Sequence, residues 1–68
     1  MVPGRLKELR IKHKKKQKDI AKMLGITRQG YGNYENGVTE PDHATLMKLA
    51  DIFDTSIDYL VGRTDDPS

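Results

Sequence analysis

Two short helical patterns of similar length lie between Gln17 and Gly37, separated only by Gly25, Ile26 and Thr27. That spacing leaves room for little except two helices crossing through a tight turn. In the first pattern Ile20, Ala21 and Leu24 share one face. Gly25 suits a helix end with positive φ, and Thr27 suits the N-cap of a helix from Arg28 to about Glu35. Ile26, Tyr31 and Tyr34 complete the inward set, and the small Ala21 allows close approach at a steep angle. The outward residues of the second helix are Arg28, Gln29, Gly30, Gly32 and Asn33. They are short of hydrophobes and rich in groups that pair with base edges.

This is the layout of a helix-turn-helix, whose second helix enters the major groove of DNA. Flanking periodicity predicts three further helices. One runs from about Gly4 to His13 with Leu6 and Leu9 inward, before a lysine turn at Lys14 to Lys16. Another runs from about Asp42 to Phe53 with Leu46, Leu49, Ala50 and Phe53 inward and Met47 in a second rank. A short last helix, capped by Thr55 or Ser56, runs to about Val61. The expected fold is an all-α, compact five-helix domain over residues 1–63, with a flexible tail or linker stub at residues 64–68.

Charge is divided along the chain. Residues 1–34 hold ten Lys and Arg against Glu8 and Asp19, a balance of +8, and residues 35–68 hold Lys48 and Arg63 against eight acids, a balance of −6. The basic half coincides with the helix-turn-helix and suits a polyanion. The chain has no Cys, which suits a reducing cytosol, and no apolar run of membrane-spanning length. It carries no nucleophile elbow, phosphate-binding glycine loop or metal-ligand spacing, so an enzyme is excluded and no metal, cofactor or small-molecule ligand is expected. His13 and His43 are isolated and read as surface residues. RNA binding lacks a stacking platform, since Tyr31 and Tyr34 are assigned to the core.

Gln29 and Asn33 lie one helical turn apart, and each amide matches the adenine edge. Arg28 suits either the acceptors of guanine or a phosphate, and the sequence does not separate those roles. Lys14 and Lys16 are candidates for phosphate contact beside the start of the second helix, with a solvated lysine run as the plain alternative. Gly30 and Gly32 each cost about 1 kcal/mol relative to Ala inside a helix. Their missing side chains suit close approach to base edges, although packing of the two tyrosines offers a plain reason to tolerate them.

The strings RLKELR (5–10), QKDIAKMLGITRQ (17–29), YENG (34–37), TLMKLADIF (45–53) and SIDYLVGRTD (56–65) together resemble the Cro/C1-type (XRE-like) helix-turn-helix regulators, including lambdoid phage repressors, over residues 4–63. The resemblance implies a lambda-repressor-like fold and base readout from the start of the third helix. It implies that Gln17 binds a phosphate and braces the first reading side chain. Thr27, Asn36 and Thr39 join the phosphate-binding set. Arg10 and Glu35 match a pair that ties the first helix to the end of the third. The turn departs from the family, where a glycine, a hydrophobe and a capping Thr or Ser usually stand at positions 14 to 16.

By the same resemblance, the protein is a cytoplasmic, nucleoid-associated repressor that binds double-stranded DNA as a homodimer on an inverted repeat. The half-sites would lie about 34 Å apart or a multiple of that. The dimer interface would use Ile57, Tyr59 and Val61, with Leu60 either joining them or belonging to the core. An antitoxin that binds both DNA and a toxin is one alternative, and a protein-interaction module on the same fold is another.

Overall fold

The computed structural model describes Val2 and residues 4–66. Its helices are α1 (Arg5–Lys12), α2 (Gln17–Leu24), α3 (Arg28–Glu35), α4 (His43–Ile52) and α5 (Ile57–Leu60). There is no strand among the described residues. The limits of α2 and α3 are those predicted. α1 and α4 are shorter at both ends, since Gly4, His13, Asp42 and Phe53 stand outside them as caps; Asp42 Oδ1 accepts from the Thr45 amide at 2.8 Å. Thr27 Oγ1 accepts from the Gly30 amide at 3.0 Å, and Ser56 rather than Thr55 caps α5, accepting from the Tyr59 amide at 3.0 Å.

All five helices end in one geometry. The residue after each last turn takes a left-handed backbone conformation: Lys14 (φ 56°), Gly25 (75°), Gly37 (75°), Asp54 (50°) and Gly62 (84°). The next amide then reaches back to an orphan carbonyl: Lys15 to Arg10 at 3.0 Å, Ile26 to Ala21 at 3.0 Å, Val38 to Asn33 at 2.9 Å, Thr55 to Ala50 at 2.9 Å and Arg63 to Asp58 at 2.8 Å. These are Schellman closures, which satisfy the terminal carbonyls and turn the chain sharply. The turn after α1 therefore does need the glycine-like conformation, and a lysine supplies it.

Between these turns the inner faces of the helices enclose Leu6, Leu9, Ile20, Ala21, Leu24, Tyr31, Leu49, Ala50, Phe53 and Leu60. Tyr34 and Leu46 pack against this core and are half-buried. Two expected core residues are not in it. Met47 is 51% exposed and Ile26 36% exposed. Met47 sits one step round α4 from the buried Leu49–Ala50 stripe. Ile26 belongs to the turn, and its Cδ1 would lie 3.9 Å from a Cβ on Gly30, over the first turn of α3.

The two ends of the chain meet at Arg5, for which the sequence suggested no role. Its guanidinium lies 4.2 Å from the centre of the Tyr59 ring. Nη1 donates to the Tyr59 carbonyl at 2.6 Å and to the Thr64 carbonyl at 2.8 Å, and Nη2 donates to Asp65 at 2.6 Å. The Val2 amide donates to the Leu60 carbonyl at 3.1 Å. The tail expected from residue 64 is thus tied down at Thr64 and Asp65, while Pro67 and Ser68 lie outside the described residues.

A left-handed conformation costs an ordinary L-residue about 1–2 kcal/mol, and glycine gives part of that back through its freer unfolded chain. Lys14→Gly is expected to stabilise the domain by about 1 kcal/mol, read as a higher urea midpoint at unchanged slope. An unchanged midpoint would mean that Lys14 carries no strain.

Candidate nucleic-acid interface

The buried carboxylate of Glu35, at the end of α3, organises this side of the molecule. Arg10 of α1 reaches it with Nε at 2.7 Å from Oε2 and Nη2 at 3.3 Å from Oε1. Gln17 Nε2, from the first turn of α2, donates to the same Oε1 at 3.0 Å. The Arg10 Nη1 donates to the Lys15 carbonyl at 3.1 Å, so one guanidinium holds α3 and the lysine turn together. The side chains of Arg10 and Glu35 are 14% and 2% exposed. Burial alone would raise the Glu35 pKa, but hydrogen bonds from Arg10 and Gln17 and the Arg10 charge outweigh it and hold the group below the ordinary carboxylate range. The Glu35 hydrogen bond in turn raises the Arg10 pKa. The fully buried Tyr31 hydroxyl stands beside this carboxylate without a partner in hydrogen-bond geometry. Burial first, and the Glu35 charge as well, push its ionisation far above the ordinary range.

Outside this hub an open groove of about 450 Å³ is lined by Arg10, Lys16, Gln17, Lys18 and Arg28. The structure thus brings together Lys16, Gln17 and Arg28 of the expected contacts. It adds Lys18, which is not among the expected contacts although the lysine run resumes directly after Gln17. Lys16 is the N-cap of α2 and its side chain makes no cap. An ammonium has no acceptor, so only half of a capping box forms, with Asp19 Oδ2 accepting from the Lys16 amide at 3.0 Å. Lys14, Asn36 and Thr39 are exposed but do not line the groove.

On α3, Thr27, Arg28 and Gln29 are exposed and Asn33 is half-buried. The two glycines differ in surroundings. A Cβ at Gly32 would meet Gln17 Oε1 at 3.7 Å, an ordinary contact, whereas one at Gly30 would meet the capping Thr27 Oγ1 at 3.1 Å. On α5, Leu60 is fully buried, which assigns it to the core, while Ile57, Tyr59 and Val61 are half-buried.

A helix-turn-helix family profile matches residues 6–60. The chain belongs to the helix-turn-helix family. Among its relatives is the SPbeta prophage-derived HTH-type transcriptional regulator YonR of Bacillus subtilis, 50% identical over 64 residues, or 94% of this chain and 59% of that protein. The HTH-type transcriptional regulator ImmR of the same organism is 42% identical over 59 residues, 87% of this chain and 46% of ImmR. The cryptic phage CTXphi transcriptional repressor RstR of Vibrio cholerae is 41% identical over 49 residues, 72% of this chain and 44% of RstR. No solved structure gives a significant match. The chain spans about half the length of these relatives. All three are named for transcription regulation rather than catalysis, in line with a non-enzymatic helix-turn-helix domain. No helix among the described residues is long and apolar enough to cross a membrane.

The lowered Glu35 pKa makes acid stability of this helix-turn-helix domain a test of the hub. A carboxylate depressed on folding stabilises above its unfolded value, and that contribution fades as pH falls through the folded value. Glu35→Gln leaves Arg10 without its counter-charge, and at pH 7 is expected to cost about 3 kcal/mol. The gap to wild type should narrow as pH falls below the ordinary Glu value of 4.5. Asp42, also held low by its hydrogen bonds to Thr45, is present in both proteins and drops out of the difference. A gap constant from pH 7 to pH 3 would show that Glu35 is not a stabilising anion.

The glycines give a second test. Gly32→Ala should stabilise by about 1 kcal/mol from helix propensity alone, and Gly30→Ala by less, because its methyl crowds the cap. Equal gains in urea denaturation would mean that the cap yields freely. If Gly32→Ala gains stability while losing DNA affinity, its small size serves approach to DNA.

Proposed function

We propose that this domain is the DNA-reading part of a transcriptional repressor. In this reading it binds double-stranded DNA as a dimer on an inverted repeat, with α3 in the major groove. The observation that carries it is the joining of an exposed polar face on α3 to a cationic groove at the start of the same helix. Gln29 and Asn33 read base edges, with Gly30 and Gly32 keeping the backbone close. Lys14, Lys16, Gln17, Thr27, Asn36 and Thr39 meet the phosphates. Arg10 and Glu35 touch no DNA; they fix α3 relative to α1 and α2. The names of the relatives, regulators in general and one of them a repressor, support this reading.

Dimerisation follows from scale. One eight-residue helix offers few base contacts, and a second half-site supplies the rest of the specificity. Ile57, Tyr59 and Val61 on and beside α5 form the contact between copies. Arg5 steadies that surface by stacking on Tyr59. The protein works in the cytoplasm, on the nucleoid.

Selection of bound duplexes from a random pool tests the reading. An inverted repeat is expected to be enriched. Gln29→Ala should lose about 1–3 kcal/mol of discrimination at one symmetric base pair and leave the other positions unchanged. A pool that shows no enrichment would sink the proposal, and a Gln29→Ala protein with full discrimination would remove Gln29 from base reading.

A further inference from the structure

We propose that α1 is a strut that sets the spacing between the two half-sites, and that Arg5 is the positioning residue through which it acts. This rests on the dimeric DNA-binding reading above and adds what fixes the angle between the two copies. Arg5 and Arg10 stand five residues apart on α1, about 7.5 Å along its axis and about 140° round it. Arg10 holds Glu35 at the end of α3. Arg5 holds α5: its Nη1 donates to the Tyr59 carbonyl at 2.6 Å, and its guanidinium lies 4.2 Å from the centre of the Tyr59 ring. One eight-residue helix thus grips α3 on one side and the proposed dimer surface on the other.

Packing alone leaves those two parts remote from each other. α1 lies chiefly on α3 and α5 on α4, so apolar contact joins α5 to α3 mainly by way of α4 and α2. α5 has four residues, and Leu60 is its one fully buried side chain. A helix that short has too few hydrogen bonds to hold itself, and a single buried anchor leaves it free to turn. Polar ties at its C-terminal end remove that freedom. The Val2 amide donates to the Leu60 carbonyl at 3.1 Å, and a Cβ on Gly62 would lie 2.5 Å from Val2 Cγ2, so Val2 sits directly against the turn that closes α5. Arg5 adds the Tyr59 carbonyl and, at 2.8 Å from the same Nη1, the Thr64 carbonyl. Its side chain is 16% exposed, so these bonds form largely away from water and their direction counts. The half-buried Tyr59 ring is thereby set at a fixed angle to α1, and through Arg10 to α3. In a two-fold dimer any error in that angle is doubled between the two reading helices.

The test measures binding of wild type, Arg5→Ala and Arg5→Lys to the selected inverted repeat and to repeats whose spacer is one base pair longer or shorter. One base pair turns a half-site by about 35° and shifts it by about 3.4 Å, so wild type should prefer its own spacer. Arg5→Ala is expected to shrink that preference by about tenfold, while discrimination among bases within each half-site stays at the wild-type level. Arg5→Lys keeps a cation beside the ring but loses the planar fork that serves two carbonyls, and should fall between the two. It carries the test if Arg5→Ala does not fold. An unchanged spacer preference, with affinity lowered equally on all three repeats, would make Arg5 a fold-stabilising residue only and overturn the proposal. A wild type indifferent to spacer length would overturn it as well. Failure of the wider reading looks different: wild type would then select no inverted repeat at all.

Discussion

The packed core of this molecule and its proposed DNA-binding side meet at one buried carboxylate. Glu35 closes α3, yet its oxygens are satisfied by Arg10 from α1 and Gln17 from α2. Three helices are fixed relative to one another by a single anion, and the Arg10 bond to Lys15 extends that control to the turn. A buried ion pair adds little net stability over a well-packed apolar substitute, but removing one partner leaves an uncompensated charge. Its value here is orientation: any rotation of α3 that moved Gln29 and Asn33 would pull Glu35 away from two donors at once. Close packing around the fully buried Tyr31 and Ile20 resists such a rotation as well, and the Glu35 bonds add direction to it.

Short helices make that arrangement feasible. Four of the five have eight residues or fewer, and none would persist alone in water. Repeated Schellman closure lets each end within one turn, its carbonyls satisfied, and sends the chain back over the core. Where the left-handed residue is glycine the closure costs little, and at Lys14 and Asp54 the backbone carries strain. Arg5 performs the corresponding service for the chain ends. Its bond to the 99% exposed Asp65 side chain contributes little, so its hold rests on the Tyr59 ring and the two carbonyls.

The parts of this structure that were legible in the sequence are those with local causes. α2 and α3 ended where expected because Gly25, Thr27 and Gly37 act on their immediate neighbours. The Arg10–Glu35 pair was legible only through the family resemblance, since nothing in a spacing of 25 residues announces a contact. Arg5 was missed for the same reason, with partners 54 to 60 residues away. The exposure of Met47 is not legible, because hydrophobicity marks a stripe only to within a neighbouring position, and α4 turns its Leu49 and Ala50 face to the core. Lys18 is not legible as a groove residue because the lysine run looks like a turn feature, whereas it continues into the first turn of α2.

The same run shows where stability and binding pull apart. The N-terminal end of a helix carries partial positive charge, and cations there are unfavourable by about 0.3–1 kcal/mol each. Lys16 and Lys18 at the start of α2 and Arg28 at the start of α3 all stand at that wrong end. Lys16 also displaces an N-cap acceptor, a loss of about 1 kcal/mol, and Lys14 occupies a position that suits glycine. Lys16, Lys18 and Arg28 share one groove with no carboxylate in its lining, while α4 and α5 carry ordinary caps in Asp42 and Ser56. Such costs are not confined to the groove, since Arg5 opens α1 and Asp54 is left-handed. What sets the groove apart is that three exposed cations meet in it: in the proposed DNA-bound state a phosphate would relieve them, and part of the binding energy would go into that relief.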